Sequence, residues 1–275
     1  MFASFLKWIR VPFTVALFSM STGIGQAADE SPETKAILKG FCTDLKSKKV
    51  EDRVKAAEAI GELGPKALSA CRPLCEAMLD KNAKVKAAAA DSLKKVDKKL
   101  GDFAVAIYVN LSIEAVEQAA VLGTVAEPLC PLIWTMASQI SVSEAKVGNG
   151  SRLVKCLVAL AKTSPDDPSA NAMIISGISL TQANGIDPKE IAAVRSESTV
   201  LIRVMKNKKQ ALKPLLNAAV KDTEAIRVRA IESLVKIYDV DNDKVIIKTL
   251  EGIRFDESIP VRNAVEVALE TFKKK

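Results

Sequence analysis

The sequence predicts an all-α solenoid of stacked antiparallel helix pairs. Three observations point to it. First, one spacing recurs. Pro73-Leu74 is followed by Val85-Lys86 and Leu93, Pro214-Leu215 by Ile226-Arg227 and Leu234, and Leu250 by Val261-Arg262 and Leu269, with offsets of eleven and eight residues each time. Second, Ile226 and Val261 lie thirty-five residues apart, a helical-repeat period. Third, each copy holds two apolar patterns of period near 3.6, separated by short polar or Gly-containing turns. Stacked repeats of this kind act through an extended surface, so the pattern constrains a mode of action more than a named partner.

The first residues stand apart from the repeats. Lys7 and Arg10 precede an apolar run from Val11 to about Ser19, and a small-residue segment ends at Gly25-Gln26-Ala27-Ala28. This is the pattern of a secretory signal peptide, predicted to occupy 1–27 with cleavage near Ala27. The run is shorter than the roughly 20 residues a membrane span needs and is broken by Pro12, Thr14 and Ser19. The expectation is an exported protein, periplasmic or secreted, with no stable membrane insertion after processing.

The solenoid is predicted from about residue 31 to 275. Val54, Ala57, Ile60, Gly61 and Leu63 form the stripe of a first outer helix that Gly64-Pro65 ends. The next outer helix, around Val85 to Leu93, is rich in alanine, which lets a neighbour approach closely. From Gly101 to Lys209 the motif is diluted, yet Val85 and Ile226 are 141 residues apart, close to four periods. Helices are expected there at Ile113 to Leu122, Pro131 to Ile140, Arg152 to Lys162 and Pro188 to Met205, with breaks at Gly148-Asn149-Gly150 and Ser164 to Pro168. About seven outer helices result, the last two at Ile226 to Ile237 and Val261 to Phe272.

An Asp-led turn, a Val-basic pair, an Ala-rich helix and a second helix opened by Pro-Leu together resemble the HEAT repeat family, including its short bacterial repeats. The residues that carry the resemblance are Asp52 to Gly64, Asp80 to Val96, Asp222 to Ile237 and Asp256 to Phe272. It implies a right-handed, armadillo-type α-solenoid whose inner helices line the concave surface. It also implies that Asp80/Lys86, Asp222/Arg227 and Asp256/Arg262 are structural pairs tying turns to adjacent repeats.

Composition removes whole classes of chemistry. There is no histidine in the chain, which excludes Ser-His-Asp and Cys-His catalysis and most zinc hydrolases. It also rules out the iron-dependent deoxyhypusine hydroxylases, a HEAT-like class that binds metal through His-Glu pairs. Bilin lyases, another such class, form the alternative reading, disfavoured by export and by the lack of a recognisable site. A HEAT-like DNA glycosylase would need an aromatic-lined basic groove in a cytoplasmic protein. Removing residues 1–27 takes away Lys7 and Arg10 and no acidic residue, leaving 38 Lys+Arg against 33 Asp+Glu, or +5. One Trp, two Tyr and four Phe remain, too few for a base-stacking platform. Basic and acidic residues are interleaved, so even Lys206 to Lys209 and Lys273 to Lys275 read first as solvated surface, and nucleic acid is not expected as a partner.

The remaining motifs favour structure. Asp239, Asp241 and Asp243 resemble the opening of a calcium loop, but the sixth and twelfth positions are Lys244 and Leu250 where Gly and Glu are needed. An inter-helix turn with Asp241 or Asp243 as cap fits better. Gly148-Asn149-Gly150-Ser151 offers backbone N–H groups to an anion but lacks the Lys-Ser/Thr of a P-loop, and is read as a flexible turn. Asn110 and Asn149 begin glycosylation sequons. The five cysteines, 42, 71, 75, 130 and 156, leave one unpaired in an oxidising compartment; a bridge from Cys71 or Cys75 to Cys42 is open, and Cys75 reads as a small core residue. No catalytic residue, metal ligand or cofactor site is assigned.

The candidate site comes from aligning the Pro-Leu openings of the inner helices. Trp134 then falls where the other copies have Glu76, Asn217 and Gly252, all polar or small. A tryptophan facing solvent on the inner row is a candidate anchor for a protein partner. The aligned row comprises Trp134, Arg72, Glu76, Lys213, Asn217, Lys221, Lys248 and Glu251, a mixed-charge surface suited to protein. The expected function is a non-catalytic, exported protein-interaction scaffold. Expression in an exporting host should give an intact mass lacking the first 27 residues; recovery of the unprocessed chain from the exported fraction would refute the leader.

Overall fold

The computed structural model describes residues 31–142, 146–181, 185–206, 208–237 and 243–274. The leader segment and the 238–242 part of the acidic loop, which carries Asp239 and Asp241, lie outside the described residues.

The chain is an α-solenoid. Outer helices are α2 (Val50–Leu63), α4 (Ala83–Val96), α6 (Ile113–Leu122), α8 (Asn149–Thr163), α10 (Pro188–Leu201), α12 (Glu224–Ile237) and α14 (Ile259–Lys273). They alternate with α1 (Pro32–Asp44), α3 (Cys71–Ala77), α5 (Lys98–Tyr108), α7 (Cys130–Val142), α9 (Pro168–Ile178), α11 (Leu212–Lys221) and α13 (Asp243–Gly252). Each outer helix packs on the next from α2 to α4 and from α6 through α14, while the inner helices fill the second layer. Seven outer helices among the described residues agree with the expected number, and the four helices expected in the diluted middle are present. The pattern did not reveal α1, α5 or α9, the last two being short helices inside the diluted section.

Local chemistry sets the ends. Asn82, Asp97, Ser112, Asp167, Asp187 and Ser258 each accept a hydrogen bond from a backbone N–H of the first turn that follows, satisfying donors that a helix leaves orphaned. Gly64 and Gly123 close α2 and α6 with the same turn, φ 56°, ψ −139° and φ 60°, ψ −139°. A side chain is strained there, so glycine is required. Each turn feeds a seven-residue 3₁₀ segment, Gly64–Ala70 and Gly123–Leu129, that leads into α3 and α7. The stretch Ile113–Val142 is apolar and long enough by composition to cross a membrane. The reversal at Gly123 instead divides it into α6 and α7, both packed on α8.

The core is a continuous aliphatic strip through the stack, including Ile60, Leu74, Leu93, Leu129, Leu157, Ile174, Leu215, Leu234, Leu250 and Val265. Small residues let the outer helices approach. A Cβ built on Gly61 would lie 2.6 Å from Ser92 Oγ on α4, and Ser233 of α12 donates to the Thr199 carbonyl of α10 at 2.8 Å.

Charged residues stitch successive repeats together, but not in the expected pairs. Arg53 of α2 grips Asp80 at the entry to α4 through two bonds of 2.7 and 3.0 Å. Arg195 of α10 pairs with Asp222 ahead of α12, and Arg227 of α12 with Asp256 ahead of α14. The arginine of one repeat therefore binds the aspartate of the next. The pairings Asp80/Lys86 and Asp222/Arg227 are replaced, and Arg262 reaches only the backbone carbonyls of Asp256 and Glu257. Arg53 also donates to the carbonyls of its own entry turn, Ser47 and Lys48, so its guanidinium spans that turn and the aspartate of the neighbouring repeat.

Among the described residues the ladder is missing at three successive junctions, α4 to α6, α6 to α8 and α8 to α10. Lys86 of α4 donates to the Tyr108 hydroxyl at 2.8 Å, and α5 bridges α4 to α6. On the inner side α3 then packs directly on α7.

Asp80→Ala would strand the buried guanidinium of Arg53. The expected cost is about 3 kcal/mol or more, read as a lower midpoint in urea unfolding, whereas Asp52→Ala, whose carboxylate only accepts from Ser47, should change stability by less than about 0.5 kcal/mol.

Candidate functional site

Inner helices α3, α7, α9 and α11 contact one another in sequence, α3 on α7, α7 on α9 and α9 on α11. Their burial alternates alike. On α3, Glu76 is exposed between the buried pairs Leu74/Cys75 and Ala77/Met78; on α11, Asn217 is exposed beside buried Leu215 and Ala218. Trp134 occupies the corresponding step of α7, between Leu132/Ile133 and Met136/Ala137, and is 39 % exposed. Lys213 and Lys221 on α11 are also exposed, as are Lys248 and Glu251 on α13, a helix that packs on α14. The structure thus brings Glu76, Trp134, Lys213, Asn217 and Lys221 onto one row.

Sequence alignment did not show what α9 contributes. Ala172 lies exposed between buried Ala170/Asn171 and Ile174, the equivalent of Trp134 one helix on.

Arg72 behaves differently from the rest of the row. It is half-buried, and its guanidinium pairs with Glu127 in the 3₁₀ segment before α7, with Asp167 at the cap of α9, and with Glu76 at 3.5 Å. Burial disfavours its charge, but the hydrogen bonds it donates to Asp167 and Glu127 outweigh that and raise its pKa. One cation therefore clasps three inner elements beside the first junction that lacks the outer ladder. Desolvation opposes ionisation of Asp167, yet backbone N–H groups of Ala170 and Ser169, together with Arg72, hold its carboxyl below the ordinary carboxylate range. With three carboxylates around one guanidinium, this end of the row is acidic, whereas the α11 end carries Lys213 and Lys221.

The Gly148-Asn149-Gly150 turn is held by an internal anion. Its Gly148 and Gly150 N–H groups donate to the Glu190 carboxylate at 3.1 and 3.2 Å. The anion expected of such a turn comes from α10 of the same chain, which replaces the reading of a flexible turn. Asn149 is 3 % exposed and donates to the Gly185 carbonyl at 2.7 Å, so its sequon is closed in the folded chain, while Asn110 is exposed.

None of the five cysteines forms a disulfide, so no Cys42 bridge is made, and Cys75 is a core residue as expected. Burial pushes Cys130 up to about 11 and Cys156 to about 12, and raises Cys75 as well. Such thiols are poor nucleophiles at neutral pH. Among the described residues no cluster of three or more His, Cys, Asp or Glu could hold a metal ion. An open groove of about 590 Å³ lies away from the row, between α12 and α14, lined by Val228, Val235, Ala264 and Val267.

No protein-family model matches the chain, and no curated protein does. Solved structures similar to it include an engineered protein, 13 % identical over 86 % of this chain and 96 % of that one, TM-score 0.36. A second engineered protein is 15 % identical over 86 % and 99 %, TM-score 0.37. A designed armadillo repeat protein is 14 % identical over 85 % and 99 %, TM-score 0.36. At this distance the likeness adds nothing to the helix packing described above.

Asp80 and Asp167 both have lowered native pKa values, in Asp80 chiefly through its bond from Arg53. Their stabilisation is complete above the unfolded value of about 3.9 and disappears as pH falls through the lower native values. Unfolding midpoints should therefore hold from pH 7 to about 5 and drop below about 4, with Asp167→Asn, which keeps a capping side chain, showing a shallower acid loss.

Proposed function

We propose that this chain is a non-catalytic scaffold that binds an extended protein segment along the α3–α7–α9–α11 row, with Trp134 as its apolar anchor. The observation that carries the reading is the exposed tryptophan at a step where the flanking repeats place Glu76, Ala172 and Asn217. Trp is enriched among interface hot spots because a large, rigid ring gains much contact area at low entropic cost. The row's charge gradient would fix the direction of the bound segment, basic groups toward Glu76 and Glu127, acidic groups toward Lys213 and Lys221. Lys248 and Glu251 would extend the surface onto α13.

The leader-like first 27 residues support export, which would place this surface outside the cytoplasm. High thiol pKa values, the missing histidine and the intramolecular use of the Gly148 turn give catalysis no support. The bilin-lyase alternative gains no observation from the site.

Affinity capture from the exported fraction of the source should recover a specific partner. Trp134→Ala is expected to weaken that complex at least tenfold, a loss of about 1.4 kcal/mol or more, with helicity unchanged by circular dichroism. Capture indifferent to Trp134 would overturn the anchor role.

A further inference from the structure

The arginine ladder has a further member whose rung is open. Arg262 lies thirty-five residues after Arg227 and is the fourth residue of α14, as Arg53 is of α2. The two side chains are set alike. Nη1 of Arg53 donates to the carbonyls six and five residues back, Ser47 and Lys48; Nη1 of Arg262 donates to those of Asp256 and Glu257, again six and five back. On Arg53 that leaves Nε and Nη2 to grip Asp80. On Arg262 the same two donors meet no acceptor among the described residues. A planar guanidinium presented in this way matches the two oxygens of a carboxylate.

The residues that follow show which carboxylate fits. Four and eight residues beyond Arg53, Ala57 and Gly61 are buried where α4 lies on α2. The same steps of α14 are Glu266 and Glu270, on one stripe of the helix with Arg262. Charged side chains there prevent a further repeat from packing on α14 as α4 packs on α2. Arg254 neutralises Glu266 through two bonds of 2.6 and 3.3 Å. Glu270 is exposed and forms no ion pair among the described residues. This face of α14 therefore carries an open fork and, two turns along, an unanswered carboxylate.

Such a face is complementary to itself. When two copies of α14 lie antiparallel about a twofold axis at Glu266, Arg262 of each comes opposite Glu270 of the other, because both are four residues from the centre. Ile259, 61 % exposed, then falls opposite the aliphatic stem of Lys273, each seven residues away. The Glu266 carboxylates that meet at the axis are already neutralised by Arg254. The first repeat offers Arg262 no such match. Six residues before Arg53 stands Ser47, among Lys46, Lys48 and Lys49, so head-to-tail stacking would set cations against the open fork. The geometry points to a second copy of this chain as the occupant, in a closed dimer of α14 on α14 held by two Arg262–Glu270 pairs. The contact belongs to the α13–α14 repeat and is independent of the Trp134 row.

One helix on one helix is at the small end of specific interfaces, so the equilibrium is expected at roughly 10–100 μM protein. Sedimentation velocity of the full chain across that range should show monomer passing to dimer, with no larger species. Arg262→Glu and Glu270→Arg should each weaken the dimer about tenfold or more, since both rungs then oppose like charges. The double variant Arg262→Glu/Glu270→Arg exchanges the partners and should return the dimer to within about threefold of the wild type. Glutamate near the start of α14 and arginine near its end both favour the helix dipole, so folding is not at risk, and circular dichroism checks it. A wild type that stays monomeric throughout would overturn the proposal. So would a dimer indifferent to the single variants, a double variant as weak as either single one, or species that grow beyond the dimer, which would mark head-to-tail stacking.

Discussion

A helix pair of about thirty-five residues has no interior of its own, and everything else in this molecule follows from that. The apolar stripe of α2 is covered by α4 together with α1, and that of α8 by α6 and α10 together with α7 and α9. Stability is then a sum over neighbours, and whatever fixes the angle between neighbours fixes the whole. In this chain the angle is set by two devices: small contacts such as Gly61 against Ser92, which bring the helices close, and the arginine of one repeat holding the aspartate that opens the next. Buried ion pairs are weak sources of net stability, because desolvating both charges offsets most of their attraction. Their value here is directional. An arginine that must reach Asp80, Asp222 or Asp256 permits one register and penalises others.

Lys86 marks the first of the three junctions that lack such a pair. Without an arginine to grip the following turn, α4 and α6 are bridged by α5, and the inner layer closes the gap with α3 on α7. Arg72 sits at that closure with Glu76, Glu127 and Asp167 around it. A residue on the candidate docking row is thus also the clasp of the inner layer, and the charge it would have shown to a partner is largely neutralised. Binding on this row depends more on Trp134 and its uneven neighbours than on the cation the alignment had set beside it.

Surfaces divide by role. The inner row has one large apolar side chain amid polar and small ones, whereas the rims where the helices start and end carry exposed lysines on both sides. In a solenoid such surfaces extend with every repeat, so a modest residue preference at one turn becomes a stripe across the molecule.

Which face of each helix is buried could be read from the residues alone. The period of 3.6 within helices and thirty-five between them located all seven outer helices in order, and put Trp134 on the same step as Glu76 and Asn217, because burial alternates along a helix by local geometry alone. The Val194-Arg195 pair in α10 was also legible as a repeat signal, and would have marked Arg195 as a ladder member. Only the tertiary structure decided where long charged side chains end. Arg53 meets Asp80 across 27 residues and Arg72 meets Asp167 across 95; Glu190 reaches back 42 to fill the Gly148 turn. Spacing inside one repeat cannot reveal these partners, since a flexible side chain of several ångströms chooses among carboxylates and N–H groups by distance in space, and that distance exists only once the repeats are stacked.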